Sequence, residues 1–439
     1  MPELFSEFNP TTAADWKAQI VKELRGEAYE SLTWKNENGF EIQPFYTTED
    51  LKQQYDPAFT HATWEICVKG KFADATELNK QFLKQLEGGA SSISVFCKNI
   101  DLDTALKNIE LNYIQSTFYV DENSAGILKT YLEKNYDAAT LQCSIFYDTL
   151  NSEEEFEKWM SQMGQFEAGQ NIKTVSFDAL DYHNLNCLAY YEVAIILSGI
   201  NAYLGKLSDK KLSVVSPFVI KTGVSADYFM QISKLRAIKR LWQLLKIEYG
   251  ITNGLHVIVE TGLTNKSISD SYNNLVRTTV ESMAAVAGGC NELIVTEFDT
   301  LFSVNQNLSE RLAINQQLIL KEESYLDKMA DVSCGSYYIE RITDLIATEA
   351  LETMKRFEKN GGYFKCLESN LFITEISQQA SEKAEKINNK SQIVIGVNKF
   401  RNEKESIRLS AAKIKQLEHL PMNNPVLNFE LENYFKPNA

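Results

Sequence analysis

The chain has 439 residues, 44% of them hydrophobic and 23% charged, the composition of a globular protein long enough for one large barrel with extensions or for two ordinary domains. A net charge of -15 would repel a phosphate backbone, so nucleic acid is not an expected partner, and apolar runs such as VAIILSGI from Val193 are too short to span a bilayer. Seven scattered cysteines without a Cys-x-x-Cys pair argue against a disulfide framework or a structural zinc site, and the opening MPELFSEFNP carries neither a secretory nor a basic transit pattern; a cytoplasmic chain with reduced cysteines and no metal is expected.

In chain order, Thr12-x-x-Asp15 reads as a capping box before a helix with Trp16, Ile20 and Leu24 on one stripe, stopped by Gly26. The aromatic segment AYESLTWKNENGFEIQPFY has no helical period and predicts an extended arm. HATWEICVKGKF, residues 61 to 72, reads as a loop and strand edge leading into a domain. Asp74 and Glu77 cap a helix carrying Leu78, Phe82 and Leu86, which ends at Gly88-Gly89.

Continuous β-branched and aromatic runs then recur: SISVFC from Ser92, YIQSTFYV from Tyr113, QCSIFYD from Gln142, IKTVSFD from Ile172, SVVSPFVI from Ser213, LHVIVET from Leu255 and ELIVTEF from Glu292, with IVIGVN from Ile393 as an eighth candidate. Helical patterns separate them. The clearest runs over residues 227 to 249, with Phe229, Ile232, Leu235 and Trp242 inward and Gly250 after it. Eight alternating strands favour an α/β chain with a (β/α)8 TIM-type barrel, an N-terminal extended arm and a short C-terminal tail; an open doubly wound sheet is the rival. The expected units are 1–60, arm and subunit interface; 61–400, barrel; and 401–439, a charged helix and tail.

Chemistry in such a barrel sits at the C-terminal strand ends. Those ends carry Cys97-Lys98-Asn99, Asp148, Asp178 with Asp181 and His183, Glu260, and Glu297 with Asp299, where helix capping competes with acid/base work. Asp181-x-His183 could orient an imidazole, yet four histidines leave little for metal or base chemistry, and GxGxxG, Walker, GxSxG and HExxH motifs are all absent. The basic run KLRAIKRLW, residues 234 to 242, is spaced as one helix face.

Two longer segments carry a resemblance. ADYFMQISKLRAIKRLW, residues 226 to 242, and SYNNLVRTTVESMAAVAGGCNEL, residues 271 to 293, resemble the barrel of adenosylcobalamin-dependent methylmalonyl-CoA mutases, as do ELRGEAYESLTW, RLAINQQLILKEES, CGSYYIE and IGVNKF. The resemblance spans about residues 16 to 400. It implies an eight-stranded barrel threaded by a coenzyme A thioester and an arm that wraps a neighbouring subunit. It also implies a C-terminal cobalamin-binding domain, for which the tail after Phe400 is too short. That domain's Asp-x-His-x-x-Gly signature is only imitated by Asp181-x-His183, with Asn186 in the glycine position, so no cobalt site is expected here.

Catalytic members resemble Arg-Pro-Trp-x-x-Arg-x-Tyr where this chain, aligned on Trp64, has Ala62, Cys67 and Lys69 in place of the two arginines and the tyrosine. Neither alanine nor cysteine holds an anion as a guanidinium does, and lysine is no substitute for a flat phenol. VIVETGL, residues 257 to 263, stands where the family has Thr-His-x-Gln-Thr-Ser-Gly and retains only Thr261 and Gly262, while Tyr182-His183 retains the family's Tyr-His. Ala62, Cys67, Lys69 and His183 are therefore expected to be vestigial, with no catalytic or cofactor-binding residue on this chain. The resemblance implies the small subunit of a heterodimer whose large subunit carries adenosylcobalamin and works on an acyl-CoA. Two alternatives are a barrel-only catalytic subunit served by a separate cobalamin-binding chain and a non-catalytic acyl-CoA-binding barrel.

Overall fold

The computed structural model describes residues 7, 9, 11–51, 56–147, 152–163, 166, 171–211, 216–302, 306–402, 404, 409–418 and 424–435. Phe5, Phe8, Asp148 and the first part of SVVSPFVI lie outside the described residues.

Eight parallel strands close on themselves: β1 Glu65–Lys69, β2 Ser92–Phe96, β3 Gln115–Val120, β4 Gln142–Tyr147, β5 Ile172–Lys173 continued by Ser176–Asp178, β6 Phe218–Val224, β7 Leu255–Thr261 and β8 Glu292–Ile294. Each pairs with the next, and β8 pairs with β1 through Glu292 to Glu65 and Ile294 to Cys67, so no edge is left. Outward residues such as Ile66, Val68, Ile93, Val95, Phe118 and Ile145 join one large apolar core beneath the helices. The alternate residues point into the barrel, as strand pleating requires.

The closing strand is not the one expected. IVIGVN at residues 393–398 forms a turn, because Gly396 adopts φ 79° and the Asn398 side chain folds back to accept from Val394 N at 2.8 Å and donate to Ile387 O at 2.9 Å. The missing strand is EICVK, inside the segment read as a loop and strand edge. It was obscured because its inward positions, Glu65, Cys67 and Lys69, are not the apolar residues of a strand buried on both faces.

The helices following the strands are α1 Ala75–Glu87, α2 Leu102–Ala105, α3 Ser124–Asn135, α4 Glu153–Met163, α5 Ala189–Asp209, α6 Tyr228–Tyr249, α7 Tyr272–Ala287 and α8 Gln306–Leu318. Beyond them come α9 Tyr337–Lys359, α10 Gly362–Glu368, α11 Leu371–Asn388, α12 Ala411–Glu418 and α13 Pro425–Glu430. Asp74 caps α1, as expected; Asp227 caps α6, and Gly250 ends α6 in the left-handed conformation. Phe229 departs from its expected inward place: it is 48% exposed, while Ile232, Leu235 and Trp242 are buried. Among the described residues no helix is long and apolar enough to cross a membrane.

The arm is divided in its attachment. Its helix, Ala13–Glu23, has the expected capping box but buries no residue, and Trp16 meets Phe45 edge-on at 6.2 Å. The later arm docks on its own barrel: Tyr29 and Ile42 are buried, Tyr46 lies 5.9 Å from Tyr338, and a ribbon pairs Trp34 with Ile42. At the other end of the chain, the tail packs Leu417, Leu427 and Leu431 against Ile268 and Leu301, in the loops after β7 and β8. The tail therefore lies on the C-terminal side of the barrel.

Candidate functional site

Six inward side chains, Cys67, Tyr119, Phe146, Val219, Ile258 and Ile294, form a packed layer across the barrel. Towards the C-terminal mouth three rings stack in a row, Phe96 on Tyr119 at 4.5 Å and Tyr119 on Phe146 at 5.1 Å. Over them lies an ion-paired group. Lys221 Nζ sits 2.9 Å from Glu260 Oε2 and 3.9 Å from Asp178, Lys69 Nζ sits 3.4 Å from Glu260 Oε1, and the Tyr119 hydroxyl donates to Asp178 at 3.0 Å. Burial alone would raise the Glu260 carboxyl, but the Lys221 and Lys69 ammoniums outweigh it and hold the group down to about 2. Burial would likewise lower Lys221, yet Glu260, Tyr119 and Asp178 keep it well above its ordinary range. Asp181, next to this group, is pushed up instead, by burial and by the charge of Asp178.

The expected vestigial positions are not all gathered at one place. Lys69 belongs to this mouth and Cys67 to the layer beneath it, where burial pushes its thiol well above the ordinary range. Ala62 precedes β1 and lies at the opposite end of the barrel from Lys69, separated by the length of the strand. Asp178 also caps Leu180 N at 2.9 Å, which supports the capping reading there, whereas Glu260 is an ion-pair residue instead. Glu297 pairs with Lys71 beside a cavity of about 300 Å³ between β1, β7, β8 and α8.

His183 occupies a second cluster at the tops of β6 and β7. It sits on a short helix, Leu180–Asn184, that follows β5, and its Nδ1 faces Glu192 Oε2 at 3.1 Å. Lys234 donates to the same carboxylate oxygen at 2.8 Å and to Gly223 O at 2.7 Å, and Thr222 donates to Oε1. Burial would raise Glu192, but Lys234 and His183 hold it at about 2; burial and then Lys234 lower the His183 imidazole. The ring is wedged so closely that a Cβ on Gly223 would come within 2.1 Å of it and one on Gly262 within 2.6 Å. Those two glycines are therefore fixed by the histidine.

The basic run is likewise not a solvated face. Lys234 and Arg236 are fully buried, and Arg236 is bonded to Asp331 and Glu340. Among the residues not singled out in the sequence are Lys221, Tyr119, Phe96 and Phe146. A lysine in the middle of the apolar strand FVIKTGV was the one available signal.

Comparison with known proteins finds the methylmalonyl-CoA mutase family model matching residues 99–421. The chain is 28% identical to the methylmalonyl-CoA mutase small subunit of Porphyromonas gingivalis, covering 91% of this chain and 71% of that one. It is 26% identical to the small subunit of Streptomyces virginiae, covering 90% and 71%. The mitochondrial methylmalonyl-CoA mutase of Bos taurus is 26% identical over 92% of this chain, which spans 64% of that longer protein.

Proposed function

Because this chain belongs to the methylmalonyl-CoA mutase family, we propose that it serves as the small, non-catalytic subunit of a heterodimer, stabilising a large subunit that carries adenosylcobalamin. The complex would interconvert methylmalonyl-CoA and succinyl-CoA in the cytoplasm. The observation that carries this reading is the altered mouth: Lys69 is tied to Glu260 where the family resemblance expects a tyrosine, above a stack of aromatic rings. The lysines of the mouth are held by carboxylates, Lys69 and Lys221 by Glu260 and Lys221 also by Asp178. Two of the relatives are themselves named small subunits, which supports the same reading.

Adenosylcobalamin does not fit the residues of this chain. His183, the sole histidine in an Asp-x-His setting, is 4% exposed, with Nδ1 against Glu192 and its other edge pressed on Gly262. It cannot reach a metal outside the protein without dismantling a buried ion-paired cluster. A barrel-only catalytic subunit is disfavoured by the same features of Lys69 and Cys67.

A second reading, a barrel that holds an acyl-CoA without chemistry, draws on one observation. Ser94, Thr117 and Ser144, register partners on β2, β3 and β4, keep buried hydroxyls without a partner among the described residues. Both readings are tested by purifying the chain alone and with a large subunit, adding adenosylcobalamin, and measuring mutase turnover, the cobalamin spectrum and acyl-CoA binding. The subunit reading expects turnover in the pair alone and no spectral change with the isolated chain. Turnover by the isolated chain would overturn it, and tight acyl-CoA binding without turnover would favour the second.

A further inference from the structure

A cavity of about 410 Å³ lies off the barrel axis, bounded by the N-terminal turns of α5, α6 and α7 on one side and by α11 and the turn at 392–398 on the other. Three polar atoms of its lining residues have no partner among the described residues: His183 Nε2 and Gln231 Oε1, on residues only 4% and 5% exposed, and Gln392 Oε1. Buried polar atoms are rarely left so, because each has given up its hydrogen bond to water without gaining another. The cavity therefore presents an unmet hydrogen-bonding demand.

The chemistry of that demand follows from the neighbours. Glu192 is a carboxylate and accepts from the His183 Nδ1 proton, so Nε2 carries the lone pair. Gln231 spends its amide N–H on Ser225 Oγ at 3.1 Å, which leaves its carbonyl oxygen. Gln392 likewise spends its amide on Glu37, so all three orphaned atoms are acceptors, and an occupant must donate to them.

Charge selects further. Glu37 is bonded to Lys383 at 3.2 Å and Glu192 to Lys234 at 2.8 Å, while Asp227 and Glu382 are matched in number by Arg277 and Lys386. The charges cancel, so the cavity offers no net attraction to an ion. Between polar residues such as Asn38, Thr264 and Asn265 its wall carries apolar Leu188, Met230 and Ile387, and Val276, Ile393 and Ile395 stand exposed at its rim. That combination, apolar walls with a few convergent polar atoms, is the general form of a small-molecule site.

We propose that this cavity binds a small neutral molecule whose head donates hydrogen bonds, a primary amide or an alcohol, on a short aliphatic body. The site is separate from the barrel mouth, and the proposal does not rest on the subunit role.

The test titrates the full chain with butyramide, butyrate and n-butylammonium, three charge states of one body, while following the ring nitrogens by NMR; the chain has only four histidines. Butyramide is expected to saturate and to shift His183 Nε2, with each ion binding at least about tenfold more weakly. Gln231→Leu is expected to weaken butyramide about tenfold while leaving circular dichroism and the thermal midpoint unchanged. The proposal is overturned if butyramide gives no saturable response, if either ion binds as well, or if Gln231→Leu binds like the wild type. Should His183→Phe fail to fold, the wild-type nitrogen shift and Gln231→Leu still decide the matter.

Discussion

Lys221 and Glu260 meet at 2.9 Å between neighbouring strands of a closed barrel, one side chain from β6 and the other from β7. Both are nearly out of contact with water, so removing one partner strands a charge in a poor dielectric. Lys221→Met is expected to destabilise the chain by about 3–5 kcal/mol, and the double variant Lys221→Met, Glu260→Leu by much less, because the ions then left behind, Lys69 and Asp178, are each about a third exposed and can be met by water. Urea unfolding of the single and double variants measures this. Equal losses in both would show that packing, not pairing, sets the cost.

That pair also marks where the sequence could be read and where it could not. Seven strands, the arm and two helix caps are legible, since each is written in local composition: β-branched runs, Thr12 with Asp15, and Asp74. The strand Glu65–Lys69 is not, because its inward face carries Glu65, Cys67 and Lys69, whose partners Ser91, Glu260 and the barrel layer come from distant sequence. Phe96, Tyr119 and Phe146 lie on three successive strands and become one stack only when the barrel closes. Lys234 and Arg236 are legible as part of one helix face but not as buried ion-pair residues, because periodicity reports a face without reporting what covers it.

Lys69→Tyr restores the residue type that the family resemblance calls for but leaves the rest of the mouth as it is. Lys69 is about a third exposed, so its loss is expected to cost no more than about 1 kcal/mol. Lys221 would still hold Glu260. No mutase turnover with adenosylcobalamin is expected from the isolated variant, assayed by succinyl-CoA formation; measurable product would remove the case for a non-catalytic chain.

The arm offers a clean cut. Residues 1–27 include the helix Ala13–Glu23, which buries nothing, and spare Tyr29 and the Trp34 ribbon, which are docked on the barrel. Deleting them is expected to leave circular dichroism and thermal stability unchanged while weakening co-purification with a large subunit, since exposed Trp16 and Val21 would be lost as anchors. Unchanged assembly would return the arm to its own barrel.

Lys239 is buried, donates to Gly288 O at 3.0 Å at the end of α7 and lies 5.2 Å from the Phe59 ring centroid. Burial pushes its ammonium down to about 7. Between that value and about 10.4, its ordinary one, the unfolded chain holds the proton more tightly, so this group's contribution to stability rises with pH. Lys239→Met removes the linkage. The stability difference, variant minus wild type, should therefore be largest near neutrality and shrink towards about pH 10, as read from unfolding midpoints across that range.

Glu430 gives the opposite sign. Its carboxyl is buried at the end of α13 and accepts from Ile268 N at 2.7 Å and Ser269 N at 2.8 Å, fastening the tail to the loop after β7. Burial raises it to about 7 despite those two bonds. A folded value above the ordinary carboxyl range of about 4.3 means that its stabilising contribution is complete below that range and is lost as pH rises through 7. Arg277 is the charged neighbour that opposes the loss, so weakening rather than release is expected. Hydrogen exchange at the Ile268 and Ser269 amides, corrected for intrinsic rates, should show protection falling between pH 5 and 8 in the wild type. In Glu430→Gln the protection should be independent of pH over the same range, because the side chain no longer titrates. If both proteins show the same pH profile, the tail is held by its leucines alone and the Glu430 contact contributes nothing to the latch.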